Sequence, residues 1–355
     1  MTASTPLSTR PSQPVAPEFP WLYFKTIARL TAMPPAWNKA VAIAQPVLGG
    51  IILGIALIGI AFASIFIVIA EQTLSPRAIA FNRLLIAAIA FAGWRYAQRR
   101  MAPRSAVSTN HAPTDLPADV PITWQNYLLF LVAGVSFAAS LTCAAWSLTQ
   151  TSVANSALLN NMMPIFTTLG AWMLLGRQFS LRFVLGLGIA IAGVVTIGLQ
   201  DLHVASGQIT GDAAALGAAV LLAATILSVE QLRTRFSTPT VMMAISLIGG
   251  VAIVPTLVVN GDTVFPETWT TGLAVVALAL ISQVIGHGLL THSLKQFSSE
   301  LVSVSMLAIP VLSTALAMVL FSQQLTLVNG CAFLMVLVGI YISISATNRK
   351  RSIEP

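Results

Sequence analysis

The sequence has few charged residues for its length. Asp, Glu, Lys and Arg make up only 8% of its 355 residues, whereas 56% are hydrophobic. A water-soluble domain of this size needs many charged side chains on its surface, so the composition excludes an ordinary globular protein. The formal net charge of +7 is spread between apolar runs and forms no basic stripe with interleaved aromatic residues. No nucleic-acid partner is therefore expected.

Cysteine is scarce as well, and the motifs of common enzymes are missing. The two cysteines, Cys143 and Cys331, stand apart in apolar segments and belong to no CxxC or metal-spaced cluster, so we interpret both as core residues. The sequence contains no HExxH, no Gly-x-Ser-x-Gly, no P-loop and no pair of aspartates within apolar runs. We therefore expect no enzymatic activity, no cofactor and no metal site.

Long apolar runs dominate the rest of the chain. Each is long enough to cross the hydrocarbon core of a lipid bilayer, and only helices satisfy their backbone hydrogen bonds in lipid over such lengths. We predict an all-α integral membrane protein with ten transmembrane helices. They are expected at residues 46–70, 76–97, 125–147, 151–176, 181–200, 210–230, 239–260, 268–294, 299–322 and 327–346.

The basic residues predict how these helices are oriented. Cytoplasmic loops retain Lys and Arg. When the ten helices alternate across the bilayer, all 18 lysines and arginines except Arg77 and Arg83 lie on the side of the N-terminus. Arg77 falls in an outer loop and Arg83 within the second helix. Both termini are thus predicted to be cytoplasmic, in a bacterial inner membrane or, as the alternative, in an organellar membrane.

Three segments are more polar than the apolar runs. Residues 1–44 are predicted to form a cytoplasmic tail, in which WLYFKTIARL is either a short helix on the membrane surface or disordered chain. If the source is eukaryotic, this basic tail is alternatively a transit peptide. Residues 98–124 are rich in Pro, Ser and Thr and are predicted to form a mobile loop, and residues 347–355 a basic cytoplasmic tail.

The two halves of the chain repeat each other. Ser147 through Val194 aligns without a gap on Ser293 through Ile340, and Glu71-Gln72 aligns on Glu230-Gln231. Each half holds five predicted helices, an odd number, so the second half must enter the membrane from the opposite side. We predict two inverted repeats, at 45–200 and 201–346, as in alternating-access transporters. Identical pairs include Gln150 with Gln296, Pro164 with Pro310, Gln178 with Gln324 and Gly193 with Gly339.

This pattern resembles the drug/metabolite transporter superfamily, EamA-like type. Each repeat has a helix with a proline in its middle, then a short turn and a last helix with glycine, in ALLNNMMPIFTTLGAWMLLGRQFSLRFVLGLGIAIAGVV and SVSMLAIPVLSTALAMVLFSQQLTLVNGCAFLMVLVGIY. The second helix, SPRAIAFNRLLIAAIAF, carries the family-like starting proline and Arg83. The resemblance covers residues 46–346. One feature differs, because the family's turn reads L-G-E and this chain has Arg177 and Gln323 there.

The resemblance implies a secondary transporter that exports a small molecule by rocking its two halves around a cavity lined by helices 1, 3, 4, 6, 8 and 9. The late helices lack the Lys/Arg pairs that would suit phosphate, so a neutral, zwitterionic or amphipathic metabolite such as an amino acid is expected. Proton coupling and a homodimer are both left open. The alternatives are a non-transporting membrane subunit and an intramembrane enzyme, and the missing catalytic pairs argue against the enzyme.

A few polar residues within the predicted helices are candidates for substrate binding, because a charge in lipid costs about 2.5–3.5 kcal/mol and needs a reason. Arg83 either binds a substrate carboxylate or extends to the outer surface and anchors its helix. Gln283 and His287 share one face of the eighth helix with Thr291. His287 is either a hydrogen-bonding residue between helices or the group that couples transport to protons.

The proline helices supply the remaining candidates. Asn160 and Asn161 precede Pro164, which frees the carbonyl of Asn160 for other partners, and Pro310 frees the carbonyl of Met306 in the same way. We expect the two asparagines to lie near His287 in one cavity. Trp146, at the outer end of the third helix, is either an interfacial anchor or a wall on which an aromatic substrate stacks.

Overall fold

The computed structural model describes residues 35–101, 123–151, 153–200, 209–321 and 327–351. Within these ranges every regular element is a helix. Eight helical segments are long and apolar enough to cross a membrane, and two shorter apolar helices, Leu181–Thr196 and Gly330–Ala346, lie where the fifth and tenth spans are predicted. An all-helical, multi-pass membrane protein is therefore confirmed.

The helices are numbered here in chain order. The first half contains α1 (Pro35–Ala61), α2 (Ala63–Ala70), α3 (Pro76–Met101), α4 (Trp124–Gln150), α5 (Val153–Asn160), α6 (Met163–Leu175) and α7 (Leu181–Gln200). The second half contains α8 (Ile209–Arg233), α9 (Thr238–Asn260), α10 (Trp269–Ala277), a π-helix (Leu278–His287), α11 (Gly288–Ser293), α12 (Ser299–Met306), α13 (Ala308–Phe321) and α14 (Leu327–Arg351).

The helices extend beyond the apolar runs at both ends of the chain. The described part of α1 starts at Pro35, inside the predicted tail. α14 continues to Arg351, past the predicted end of the last span. The WLYFKTIARL stretch and residues 102–122 of the predicted loop lie outside the described residues.

Two spans are broken at their prolines. α5 ends at Asn160, and α12 ends at Met306. Proline lacks an N–H and its ring collides with the carbonyl four residues earlier, which is that of Asn160 for Pro164 and that of Met306 for Pro310. Each proline span is thus divided into two shorter helices at the carbonyl that its proline frees.

Two further irregularities have no proline to explain them. The first predicted span is interrupted at Phe62, between α1 and α2. The eighth predicted span contains the ten-residue π-helix. The two irregular regions touch, since a methyl group placed on Gly59 would lie 3.2 Å from the Cα atom of Gly286. Ser313 donates a hydrogen bond of 3.1 Å to the carbonyl of Ala61, which is left exposed beside the interruption.

The last helices of the two halves, α7 and α14, pack with their backbones in contact. A methyl group on Gly193 would lie 2.8 Å from the carbonyl oxygen of Ala332, and one on Gly339 would lie 2.6 Å from that of Gly186. The repeat alignment pairs Gly193 with Gly339 and Gly186 with Ala332. The two contacts are therefore reciprocal, as expected when a two-fold axis relates the partners.

A second pair of contacts obeys the same relation. Gly59 of α1 touches Gly286 of the π-helix. In the repeat alignment these residues correspond to Ala218 of α8 and Ser140 of α4. The hydroxyl of Ser140 donates to the carbonyl of Ala218 at 2.8 Å. The contact between α1 and the π-helix thus has its counterpart between α8 and α4.

Candidate functional site

The structure brings three of the predicted polar residues together in the interior of the bundle. Arg83 projects from α3, and Gln283 and His287 project from the π-helix. The Nε of Arg83 donates to Oε1 of Gln283 at 2.7 Å, and its Nη2 lies 3.3 Å from Nδ1 of His287. Arg83 is 5% exposed and Gln283 is fully buried. We call these three residues the Arg83 cluster.

Arg83 does not extend to the membrane surface, which was one of its two predicted roles. At 1.5 Å per residue it lies about 10 Å along α3 from the starting proline. Its guanidinium points instead across the bundle to the other half of the chain. Within the described ranges, no Asp or Glu forms an ion pair with it.

The π-helix sets the surroundings of His287. Nδ1 of His287 lies 3.0 Å from the carbonyl oxygen of Ser282, five residues earlier in the chain. The same atom lies 3.3 Å from Nη2 of Arg83. A protonated Nδ1 donates to Ser282, whereas an unprotonated Nδ1 accepts from Arg83, so the atom serves one of these partners at a time. The ring of Phe137 meets the imidazole edge to face, with the ring centroids 5.5 Å apart.

Gln283 and His287 line a small cavity whose walls come from the second half, with Phe137 added by the first. Its free volume is about 30 Å³, room for one or two water molecules. Apart from the polar groups of the π-helix, its walls are mostly apolar. The other lining residues are Phe137, Leu222, Thr225, Ile226, Val229, Met242, Ile245, Leu290, Thr291, Leu294 and Met306.

Two buried donors in this region lack a partner among the described residues. The Nε2 of Gln283 makes no hydrogen bond within the described part of the chain, although Oε1 of the same amide accepts from Arg83. The hydroxyl of Ser282 is also buried without a partner there. Unpaired buried donors are uncommon, because burying one costs about 1–3 kcal/mol. The cluster is thus left with hydrogen-bonding capacity beside the cavity.

The other predicted candidates lie elsewhere. Neither Asn160 nor Asn161 is among the residues that line the cavity. Asn161 donates to the carbonyl of Ala157 in its own helix at 2.8 Å, and the buried Oδ1 of Asn160 has no described partner. Trp146 is 47% exposed on the surface of α4, as an interfacial anchor would be. The expected place of the two asparagines beside His287 thus stays a prediction, whereas Met306 of the second proline span does line the cavity.

Residues that the sequence did not single out for binding form a second polar group, the Arg177 cluster. Gly176 ends α6 with a positive φ of 63°, which turns the chain so that Arg177 can reach the second half. Nη1 of Arg177 donates to Glu300 at 2.6 Å and Nη2 donates to Glu230 at 2.9 Å. Burial alone would lower the pKa of Arg177, but the two carboxylates outweigh it and hold that pKa above its usual value.

A separate ion pair joins the halves at the opposite end of the bundle. Nε of Arg77, at the start of α3, donates to Asp262 at 2.6 Å, and we call this the Arg77 pair. The hydrogen bond from Arg77 holds the pKa of Asp262 below its usual range. α9 begins just after the Arg177 cluster and ends just before Asp262, so its length of about 35 Å separates the two groups.

A second buried arginine, Arg233, differs from Arg83 in that it binds backbone carbonyls. Arg233, 2% exposed, ends α8 and donates to the backbone carbonyls of Phe236 and Thr291. Cations that bind the last carbonyls of a helix stabilise its end. The partners described for Arg83 are side chains, so it lacks this capping role.

The fold and this site define a multi-pass helical membrane protein whose two halves meet around a buried polar cluster. The chain belongs to the EamA-like transporter family, whose model matches it twice, at residues 48–199 and 209–345. One solved structure, described only as a crystal structure of protein, shares the fold with a TM-score of 0.68 and 18% identity, over 84% of this chain and 98% of that one. No curated protein gives a significant match.

Proposed function

We propose that this chain is a secondary transporter that exports a small neutral, zwitterionic or amphipathic metabolite, such as an amino acid, by alternating access. In this proposal ten helices cross the membrane as two inverted repeats of five. Membership of a transporter family supports transport itself. Two sets of matching contacts support a two-fold relation between the halves. Gly193 contacts Ala332 as Gly339 contacts Gly186, and Gly59 contacts Gly286 as Ala218 contacts Ser140.

The observation that carries the proposal is the position of the Arg83 cluster. It lies between the halves, with the Arg177 cluster toward one end of the bundle and the Arg77 pair at the other. Each of these ion pairs joins the first half to the second. A transporter that exposes one site to the two sides in turn needs contacts of this kind, which break at one end while they hold at the other.

The size of the cavity supports a conformation that holds no substrate. Its free volume of about 30 Å³ is too small for any amino acid, since it holds no more than one or two waters. Entry or exit of a substrate therefore requires the halves to separate at one end. With the predicted orientation, separation at the Arg177 cluster opens the cytoplasmic side and separation at the Arg77 pair opens the outside.

A flux assay tests the proposal. The purified chain is reconstituted into liposomes and assayed with radiolabelled amino acids, purines and amines, with protein-free liposomes as the control. We expect saturable flux of at least one compound. Absence of flux for every compound would favour the alternative, a membrane subunit that transports nothing.

Crosslinking tests whether the Arg77 pair must separate. Arg77 and Asp262 are both replaced by cysteine in a chain without Cys143 and Cys331, and the pair is joined with a short, cleavable thiol crosslinker. We expect flux to stop on crosslinking and to return on cleavage. The two single-cysteine variants are the matched controls. Full flux in the crosslinked protein would contradict the proposed movement.

Thiol labelling tests the predicted orientation. A single cysteine at Asp262 should react with an impermeant maleimide added outside intact cells, and a single cysteine at Arg100 should react only after the cells are broken. The opposite pattern would reverse the orientation and, with it, the assignment of the two ends.

A further inference from the structure

We propose that the Arg83 cluster is a receptor for a carboxylate, so that the molecules carried are those with a carboxylate group and an apolar body. This inference rests on the proposed transport function and narrows its substrate class. Neutral molecules and simple amines would then be poor substrates. The argument depends on the charge of Arg83, on the unused donors around it and on the walls of the adjoining cavity.

The first step is the missing counter-charge. Arg77 and Arg177 are each paired with carboxylates, although both are much more exposed than Arg83. Arg83 is 5% exposed, and its described partners are the neutral amide of Gln283 and the imidazole of His287. A buried cation is strongly destabilised unless an anion neutralises it. An anionic ligand would supply what the described residues do not.

The second step is the geometry of the donors. A guanidinium offers five N–H donors in a planar fork that matches the two oxygens of a carboxylate. In Arg83 the described bonds use Nε and Nη2 only. Nε2 of Gln283 is a buried donor with no described partner. A carboxylate that replaces Oε1 of Gln283 on the guanidinium would therefore also meet an amide donor.

The third step is the route from the cavity. Gln283 and His287 line it and Arg83 lies directly behind them. The charge of Arg83 acts on the cavity with little screening, because a low-dielectric interior weakens a Coulomb interaction far less than water does. The remaining walls, such as Leu222, Ile226 and Met306, suit an aliphatic or aromatic body.

The competing explanation is that Arg83 only holds α3 against the π-helix. Both explanations predict that removal of Arg83 destabilises the protein, so loss of activity in Arg83→Gln alone would not separate them. Gln283→Glu does separate them. It places a carboxylate 2.7 Å from Nε of Arg83 and so strengthens the link between the two helices, while it occupies the guanidinium that a substrate would need.

The experiment compares amino acids with their amides, in which a neutral amide replaces the carboxylate while the side chain and the amine stay. Flux of radiolabelled leucine and leucinamide, and of phenylalanine and phenylalaninamide, is measured in liposomes containing the unaltered chain, Gln283→Glu or Arg83→Lys. Thr142→Val is the matched control, since the only hydrogen bond of the Thr142 hydroxyl among the described residues is donated to the carbonyl of Ala138 in its own helix. Thermal unfolding of each variant shows whether it is folded.

We expect the unaltered chain and Thr142→Val to transport the acids at least about tenfold faster than the amides. This is the ratio expected when the amide loses one charge-assisted hydrogen bond to Arg83. Gln283→Glu should unfold at the same or a higher temperature and lose this preference. Arg83→Lys should keep part of it, since a lysine keeps the charge without the fork.

Equal flux of acids and amides in the unaltered chain, or an unchanged ratio in folded Gln283→Glu, would overturn the inference and leave the transport function standing. No flux of any compound would overturn both.

Discussion

The two halves of the chain share a backbone plan but differ in chemistry. In every side-chain ion pair of the described residues, the arginine comes from the first half and the carboxylate from the second. The same holds for the Arg83 cluster, in which the first half supplies the guanidinium and the second supplies its neutral partners. The two halves thus share one family fold, and the differences between their side chains provide the ion pairs and hydrogen bonds that join them.

The halves differ in helix regularity too. α4 and α8 are continuous, whereas their counterparts in the repeat alignment are irregular. The counterpart of α8 is the first predicted span, interrupted at Phe62, and that of α4 is the eighth, which contains the π-helix. Short π-helical segments are frequent at functional sites, since they change the direction in which side chains point. Here the π-helix carries Gln283 and His287, so one of the two irregular spans supplies polar side chains to the site, whereas α4 and α8 supply mostly apolar residues to the cavity wall.

The largest effect is expected from reversing one charge between the halves. Arg177→Glu would remove two ion pairs and set three carboxylates against each other. We expect the free energy of unfolding to fall by about 3 kcal/mol, the lower end for breaking a buried pair, because the Arg177 side chain is partly exposed. Thermal unfolding in detergent measures this effect.

Arg182→Glu is the control for that variant, since Arg182 is exposed and close in sequence. A surface change of this kind should shift stability by less than about 0.5 kcal/mol. Equal effects of the two substitutions would mean that the Arg177 cluster does not join the halves.

The next effect tests the irregular pair of spans. Gly286→Leu would press a side chain onto α1, since a methyl group at Gly286 already lies 3.0 Å from the backbone nitrogen of Ile60. We expect a loss of about 1–3 kcal/mol from overpacking, measured as thermal unfolding. The control is Gly54→Leu on α1, where a methyl group meets nothing within 4 Å. A similar loss of stability in Gly54→Leu would mean that the effect of Gly286→Leu does not come from its close contact with Ile60.

A smaller effect is expected on transport from His287. His287→Ala should lower flux a few-fold, about what one lost hydrogen bond gives, without preventing membrane insertion. In His287→Gln, an amide replaces the ring, and we expect the flux profile from about pH 5.5 to 8 to stay unchanged. The reason is that the charged group facing the imidazole is the cation of Arg83, beside the neutral Gln283 and Phe137. A profile that flattens in His287→Gln would assign proton coupling to His287.

The smallest effect is expected at the Arg77 pair. Asp262→Asn should lower stability by about 0.2–1 kcal/mol at pH 7, the range for pairs near the surface. Because the pKa of Asp262 is lowered in the folded protein, this contribution is complete above the ordinary aspartate pKa of about 3.9 and disappears as pH falls through the lowered value. Thermal unfolding of both proteins at pH 7 and in strong acid measures it, and a difference that grows with acid would contradict this assignment.

Local chemistry made part of this structure predictable. Long apolar runs identify the spans, and a proline acts on the carbonyl four residues earlier, so the breaks at Asn160 and Met306 follow from the sequence. The interruption at Phe62 and the π-helix could not be predicted this way. They occur where Gly59 and Gly286 meet, and that contact joins residues far apart in the chain.

The same distinction applies to the site. Gln283 and His287 could be proposed together because they share a helical face, but nothing in the sequence near Arg83 indicates that it binds them. The expectation that Asn160 and Asn161 lie beside His287 rests on the rule that buried polar groups need partners. That rule does not specify which residues the partners are. The Arg177 cluster could not be predicted, because Arg177, Glu230 and Glu300 lie far apart in the sequence and nothing local indicates that they meet.

The Arg177 cluster has a consequence for how this chain diverged from its relatives. A glutamate at position 177, as in the L-G-E turn of the family pattern, would converge with Glu230 and Glu300 on one point. Like charges at such distances repel strongly, so the sign at the turn cannot change alone. We therefore expect the residues at positions 177, 230 and 300 to vary together. Relatives that keep glutamate at the turn should carry a basic or neutral residue where this chain has Glu230 or Glu300.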